Sequence, residues 1–155
     1  MIISFNCVGR PVPQGSMTAS YNRKEGVSHV HHVQGTALAL WRAELREAAA
    51  NAGAIKLLAP LFATMHFGIP RPKYQTELKR GQRIVKMEYY YARPAVAPDL
   101  DKLIRAVLDA LTGVCYDDDA QVVMILATKQ YGENTHVEIT DEIEQIRQAL
   151  TFGLA

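Results

Sequence analysis

Cysteine, tryptophan and long apolar runs are scarce in this chain of 155 residues. The two cysteines, Cys7 and Cys115, do not form a CxxC metal-binding or redox motif, and reduced thiols of a cytoplasmic protein are their simplest interpretation. No apolar run approaches the roughly 18 residues of a membrane span, and no signal-peptide pattern begins the sequence. We therefore expect a cytoplasmic protein with no membrane partner.

The chain also has little net charge, +1 at pH 7, but that charge is unevenly distributed. Residues 70–98 contain seven basic and two acidic side chains, whereas residues 106–155 contain two basic and nine acidic ones. The overall balance gives no support for nucleic-acid binding, so such binding would need the local basic patch. The basic residues of this patch are Arg71, Lys73, Lys79, Arg80, Arg83, Lys86 and Arg93.

Length and hydropathy patterns favour one compact α/β (α+β) domain, with a mixed β-sheet flanked by helices. Period-two and period-3.6 apolar spacing locates the elements along the chain. Strands are expected at 2–8, 26–33, 61–69, 121–128 and 135–140, the last two as an antiparallel pair joined through 131–134. Helices are expected at 35–52, from Asp99 or Asp101 to Leu111, and at 141–150.

Residues 70–86 have no hydrophobic periodicity and include Pro72 and Gly81, so we expect a mobile basic loop there. Residues 87–91 are expected to form a short strand or the return of this loop. Their three consecutive tyrosines could stack on opened bases, but a strand with buried rings is the favoured interpretation.

Carboxylates stand on both sides of the helix that ends at Leu111. Asp99 and Asp101 are at its start, and residues 117–119 are three consecutive aspartates after its end. Each has an ordinary explanation, since Asp99 can cap the helix, Asp101 can pair with Arg105 one turn later, and three aspartates can form a solvated turn. Together they indicate a site where a cation compensates the repulsion between carboxylates.

The residue types predict the chemistry of such a site. Oxygen-only ligands suit Mg²⁺ or Mn²⁺, and no cysteine–histidine set competes for a softer metal. A metal held by carboxylates and a substrate phosphate activates water and stabilises the departing oxygen. Lys102 or Arg105 adds positive charge where the transition state gathers negative charge. The residues alone therefore predict metal-dependent hydrolysis of a phosphodiester.

Three motifs resemble the signature of the RusA family of Holliday junction resolvases, namely PDLDKL at 98–103, DALTG at 109–113 and DDAQV at 118–122. Residues 9–16 and 41–42 resemble the N-terminal part of phage-type members. The resemblance implies a homodimeric endonuclease that uses Mg²⁺, with Mn²⁺ as a substitute. It further implies paired nicks in branched DNA, a four-way junction, in a bacterial cytoplasm or nucleoid. A two-fold dimer would supply two identical sites for two symmetric nicks.

The same resemblance assigns roles to individual residues. The catalytic, metal-binding aspartates of the family fall on Asp99, Asp101 and Asp119, with Asp118 adjacent as a further ligand. The basic catalytic residue falls on Arg105. Asp117 is an extra acid, which leaves the assignment among residues 117–119 open by one position. DNA contacts are expected from Lys102, Arg71, Lys73, Lys79, Arg80, Arg83, Lys86, Gln14 and Ser16.

Two other functions stay open at this point. A less selective metal-dependent nuclease would cut flaps or forks with the same acidic residues. A non-catalytic protein would bind branched DNA and use the acids only as a structural ion site, although the intact set of aspartates argues against a decayed centre.

Overall fold

A mixed four-stranded β-sheet lies at the centre of the fold, and two helices pack against it. The computed structural model describes residues 1–15, 17–22, 26–32 and 35–142, with only the backbone for 17–22 and 27–32. Its strands are β1 (Ile2–Val8), β2 (Met17–Asn22), β3 (Val27–His32), β4 (Leu61–Ile69), β5 (Thr76–Lys79), β6 (Gln82–Val85), β7 (Val122–Tyr131) and β8 (Asn134–Thr140), and its helices are α1 (Gly35–Asn51) and α2 (Leu100–Leu111). The expected α/β architecture is confirmed. The helix expected at 141–150 falls at positions 143 onward outside the described residues, as does Ser16.

The central sheet has the strand order β1-β8-β4-β7. Strand β8 runs antiparallel to both β1 and β4, whereas β7 runs parallel to β4. The expected antiparallel pairing of β7 with β8 is therefore wrong, because β4 is inserted between them. In the sequence, the short link between β7 and β8 looks like a hairpin turn. In the structure this link crosses the end of β4.

Gly68 makes this crossing possible. A Cβ atom at position 68 would lie 2.4 Å from the carbonyl oxygen and 2.8 Å from the nitrogen of Asn134, both backbone atoms. The link is also held to β4, since the amide of Gly132 donates to the carbonyl of Ile69 at 3.0 Å. Close backbone approach explains why glycine stands inside an otherwise apolar central strand.

Both helices cover the same face of the sheet. Helix α1 buries Leu38, Trp41 and Leu45, as expected from their spacing, and α2 buries its own apolar stripe. The buried stripe of α2 consists of Leu103, Ala106, Val107, Ala110 and Leu111. Within the described ranges, neither helix has the length and apolar character needed to cross a membrane.

Two antiparallel hairpins accompany the sheet, one formed by β2 and β3 and the other by β5 and β6. Strand β2 was not expected, because its residues are mostly polar or small. The second hairpin lies inside the segment expected to be a mobile basic loop, and residues 76–85 have a regular strand pairing that the sequence did not indicate. Arg80 (φ 51°) and Gly81 (φ 78°) form the two-residue link, in the left-handed geometry that favours tight hairpins.

The tyrosines that follow this hairpin do not form a buried strand, so the expectation of buried rings is wrong. Residues Met87–Tyr89 form a 3₁₀ turn. Tyr90 is 59% exposed and Tyr91 is 87% exposed. Their rings pack edge to face with centroids 5.1 Å apart. The chain therefore presents two aromatic rings to solvent between the hairpin and α2.

Candidate active site

The first acidic group lies at the start of α2. Asp99 occupies the N-cap position with extended backbone, but its side chain makes no capping hydrogen bond. Instead it forms a salt bridge of 2.7 Å with Lys102. The hydrogen bond and the charge of Lys102 lower the pKa of Asp99, and the same contact raises the pKa of Lys102. Asp99 is therefore an ionised carboxylate near neutral pH.

Asp101 is the second carboxylate of this group, and it is exposed. Among the described residues it forms no hydrogen bond and no salt bridge, and the pair that it could make with Arg105 is not formed. Arg105 is exposed as well. One carboxylate and one guanidinium therefore face solvent on adjacent turns of α2, available to a ligand.

The start of α2 is held by two neighbouring segments. The ammonium group of Lys129, in β7, donates to the carbonyl oxygens of Val96 and Pro98 at 2.8 and 2.9 Å. The backbone amide of Gln14 donates to the carbonyl of Lys102 at 3.0 Å. These hydrogen bonds fix the position of Pro98, directly before Asp99, and the position of the first turn of α2.

The second acidic group follows α2 and enters β7 through a 3₁₀ turn. The Asp117 carboxylate pairs with Lys56 at 2.6 Å. Asp118 caps the turn by accepting from the amide of Ala120 at 2.8 Å, and Gln121 accepts from the amides of residues 117 and 118. The Gln121 amide also donates to the carbonyl of Leu57 at 2.9 Å. The DDAQ motif thus builds a capping box tied to the loop after α1.

Asp119 is the remaining acid of this group. Among the described residues it makes no hydrogen bond or salt bridge, whereas Asp117 is neutralised and Asp118 serves as a cap. The contacts of its neighbours therefore support Asp119 as the carboxylate that is free for a ligand, which addresses the one-position ambiguity of the sequence.

An internal ion pair borders this second group. Arg42 in α1 donates to Asp109 in α2 at 2.5 Å and to the side chain of Gln14 at 2.6 Å. Arg42, Asp109 and Thr112 line one shallow depression together with residues 117–119. Sequence reasoning did not place Arg42 or Asp109 at the site, although both stood inside the segments that resembled the family. Gln14, expected as a DNA contact, is buried here and supports Arg42.

The two acidic groups lie at opposite ends of α2. Lys129 contacts the segment before the helix, and the depression with Asp119 includes Thr112, directly after it. Twelve helical residues span about 18 Å at 1.5 Å per residue. In the part of the chain that the structure describes, no three Asp, Glu, His or Cys side chains are grouped to hold a metal ion. The oxygen donors suit a hard cation, but one chain alone does not assemble them around it.

Comparison with known proteins decides the family. A model of the family described as endodeoxyribonuclease RusA matches residues 9–142, which include both acidic groups and the helix between them. The chain belongs to the RusA family. It is also 37% identical over 70 residues to the uncharacterized protein YqaN of Bacillus subtilis (strain 168), a match that covers 45% of this chain and 48% of that protein. The match thus spans about half the length of this curated relative.

In this RusA-family chain, a continuous surface leads from the hairpin to the first acidic group. Arg10 lines two adjoining grooves. One is formed with Ala97, Pro98 and the first turn of α1, and the other includes Arg83 of β6. Arg10 is exposed and was not among the DNA contacts expected from the sequence. Its position between a basic hairpin and the residue before Asp99 became visible only in three dimensions.

The expected basic contacts divide into two sets. Lys73, Lys79, Arg80 and Arg83 are exposed, and Lys86 is half-buried. Arg71 is half-buried, and it lines the same groove as Arg10 and Arg83. Its guanidinium donates to Gln75 and to the carbonyl of Tyr89, and it lies 4.1 Å from the ring centre of Tyr131. Arg71 therefore anchors the hairpin to β7.

Proposed function

We propose that this protein is a Mg²⁺-dependent, structure-selective endodeoxyribonuclease that resolves four-way DNA junctions by paired symmetric nicks. Membership of the RusA family supports the reaction class. The observation that carries the assignment of Asp101 and Asp119 is that their carboxylates are free among the described residues, whereas Asp117 and Asp118 are engaged by protein groups. Asp99 pairs with Lys102, and its assignment rests on the family motif. Free, exposed carboxylates next to cationic side chains are suited to a metal and a phosphate, not to stabilising the fold.

The path for DNA follows the exposed basic surface. Arg80 and Arg83 project from the hairpin, Arg10 bridges the two grooves, and Lys102 and Arg105 lie along the start of α2. A phosphate backbone that follows this path passes from the hairpin to Asp99 without crossing the acidic end of α2. Because these interactions are electrostatic, binding should weaken steeply with salt.

The reacting groups have distinct tasks in this proposal. Mg²⁺, with Mn²⁺ as a substitute, would activate water and neutralise charge on the scissile phosphate. Asp99, Asp101 and Asp119 would hold it, with Asp118 beside them. Arg105 has a permanently charged guanidinium one helical turn from Asp101, where it can donate to two phosphate oxygens in a fork. Lys102 forms a salt bridge with Asp99 and lowers the pKa of that carboxyl.

The separation of the acids supports a site shared by two protomers. Strand β7 lies at the edge of the sheet, where it pairs only with β4 among the described strands. It carries exposed apolar side chains at Val123, Ile125 and Leu126. A long apolar edge strand is a template for pairing with another copy. We propose that β7 pairs with β7 of the partner subunit across a two-fold axis.

This arrangement would join the two acidic groups. Helix α2 runs antiparallel to β7, because Lys129 contacts the start of the helix and the 3₁₀ turn before β7 lies near its end. If β7 pairs antiparallel with its copy, the start of α2 lies beside the end of the partner's helix. Asp99 and Asp101 of one protomer would then face Asp119 of the partner subunit. Each dimer would contain two such sites, one for each nick.

Cleavage of a mobile four-way junction with and without Mg²⁺ tests the function. We expect paired symmetric nicks only with the metal, and we expect Asp101→Asn to abolish cleavage while it preserves or strengthens junction binding, since it removes a negative charge from the path of the phosphate. Asp117→Asn is the matched control, because Asp117 is already neutralised by Lys56 and should be dispensable for chemistry. Equal cleavage of flaps or plain duplex would favour the less selective nuclease, and binding without any cleavage would favour a non-catalytic protein.

A further inference from the structure

The segment between the hairpin and α2 contains exposed aromatic rings that the proposed cleavage chemistry does not use. Tyr91 and Tyr90 form an edge-to-face pair at the surface. Tyrosine is intermediate in its tendency to be buried, but a contiguous exposed patch of aromatic and apolar side chains is typical of an interaction surface. Met87, 85% exposed, extends the same surface.

The rings stand on a rigid base. The carbonyl of Tyr89 is held by Arg71 at 2.9 Å, and the ring of Tyr89 packs edge to face against Tyr74 with centroids 5.6 Å apart. Arg71 in turn lies on the ring of Tyr131, and the buried Gln75 donates to the hydroxyl of Tyr131 at 3.2 Å. This network joins the tyrosine segment to β7, so the exposed pair is presented in a fixed place.

The charge around the pair favours a polyanion. Between residues 77 and 93 the chain has five basic side chains against two acids, Glu77 and Glu88. One of the five, Lys79, forms a salt bridge with Glu77 at 2.9 Å, and four basic side chains remain. Exposed rings beside basic side chains are the combination that binds unpaired nucleotides, because bases stack on the rings while cations contact the phosphates. An apolar partner protein would gain nothing from the surrounding positive charge.

The distance between the tyrosine pair and the first acidic group limits where on the DNA the rings can bind. Eight residue steps separate Tyr91 from Asp99, a distance of less than about 30 Å even for a fully extended chain. The grooves lined by Arg10 connect the hairpin surface to Pro98, next to Asp99. Because of the limit that the chain length sets, a DNA strand bound at Asp99 can reach the tyrosines within a few nucleotides.

We propose that Tyr90 and Tyr91 form a stacking platform for bases that lose a stacking neighbour at the branch point of the DNA substrate. This inference rests on the proposed function and specifies how the protein distinguishes branched from continuous DNA. A paired duplex keeps its bases stacked internally and offers no ring to the platform, whereas a branch point or a single-stranded gap does. Selectivity then comes from the tyrosines, and general affinity comes from the basic hairpin.

Binding in EDTA, where cleavage cannot occur, tests this proposal separately from catalysis. The probes are a four-way junction with 2-aminopurine at the branch point and a plain duplex of equal length. We expect the double variant Tyr90→Leu, Tyr91→Leu to bind the junction about 5- to 150-fold more weakly, the range for loss of one stacked base, with duplex binding unchanged. Tyr91→Phe should retain both the affinity and the quenching of 2-aminopurine.

Leu58→Ser is a matched control, since Leu58 is an exposed apolar residue away from this surface. Thermal melting of each variant should match the wild type, because the substituted rings face solvent. Equal losses on junction and duplex, or unchanged junction binding, would overturn the platform. A change of oligomeric state without a change in DNA selectivity would also overturn it and assign the rings to a protein contact. If the platform binds as expected but the wild type never cleaves the junction, the nuclease proposal fails while the base contact stands.

Discussion

The ammonium nitrogen of Lys129 lies 2.9 Å from the carbonyl oxygen of Pro98, so strand β7 holds the residue immediately before Asp99. A second hydrogen bond, to Val96 at 2.8 Å, makes the contact bidentate. The side chain of a strand residue thereby sets where the first acidic group begins. Lys129 acts on the site through the backbone, as a positioning residue.

Lys129→Met should lower the cleavage rate about 10-fold or more while junction binding in EDTA changes little, because a small displacement of a reacting group is costly in rate. Lys129→Arg can still donate to both carbonyls and should recover most of the rate. Single-turnover kinetics at saturating enzyme separate the two effects. A wild-type rate for the methionine variant would show that these hydrogen bonds do not position the acids.

The hairpin should contribute affinity by neutralising phosphates. Arg80→Glu with Arg83→Glu should weaken junction binding and reduce the steepness of its dependence on salt, by up to about 0.9 in the log–log slope for each phosphate that the variant no longer neutralises. The measurement is a set of binding constants between low and moderate salt. Arg80→Lys with Arg83→Lys keeps the charge and should keep the slope. An unchanged slope for the glutamate variant would remove the hairpin from the DNA path.

The link between β7 and β8 crosses over β4 at Gly68. A larger side chain at Gly68 should therefore have a large steric effect. Gly68→Ala should destabilise the fold by about 2 kcal/mol or more, because the added carbon would overlap backbone atoms of Asn134 that cannot rotate away. Gly132→Ala lies on the other side of the same crossing, and its added carbon would meet Gly68 at an ordinary 3.6 Å. Urea unfolding of both variants provides the comparison. Equal stability of the two would contradict the observed crossing.

Burial of Cys115 predicts a loss of stability in alkali. Burial raises the pKa of its thiol to about 11 from an ordinary 9.0. Between these values the unfolded state releases a proton that the folded state retains, so the free energy of unfolding falls as pH rises from 9 to 11, by an amount of order 2 kcal/mol. Below pH 9 both states are protonated and the group has no effect.

Cys115→Ala should flatten this part of the pH profile, whatever its effect on stability at neutral pH. Some alkaline loss should remain, because burial also raises the pKa of Tyr116 above its ordinary value. A profile with the same slope in both proteins would show that the thiol is not the titrating group.

Local patterns predicted helices α1 and α2 well, and they predicted that aspartates lie on both sides of α2. The buried stripe of α2 has strong helical spacing, and the aspartates on either side needed only sequence order. The pairing of β7 was not predictable in this way, because strand neighbours depend on interactions distant in sequence. The short polar strands β5 and β6 were also missed, since four residues give too little periodicity to detect.

The contacts of the three consecutive aspartates also depend on residues that are distant in the sequence. The sequence alone could not show which of the three aspartates is engaged by protein groups. The Lys56 that neutralises Asp117 is 61 residues away, and the loop that Gln121 contacts is similarly remote. The tyrosines at 89–91 were misjudged because β-prone residues usually indicate a buried strand. Here the segment includes a 3₁₀ turn, and the rings of Tyr90 and Tyr91 are exposed.

Mixing of two inactive variants tests the central claim, that Asp101 and Asp119 act together across two protomers. Asp101→Asn and Asp119→Asn chains are combined by co-expression, and heterodimers are verified by native mass spectrometry. One site of each heterodimer then has both substitutions and the other has neither. A random mixture should recover about a quarter of the wild-type sites and nick one strand of the junction. Heterodimers as inactive as the separate variants would contradict the shared site.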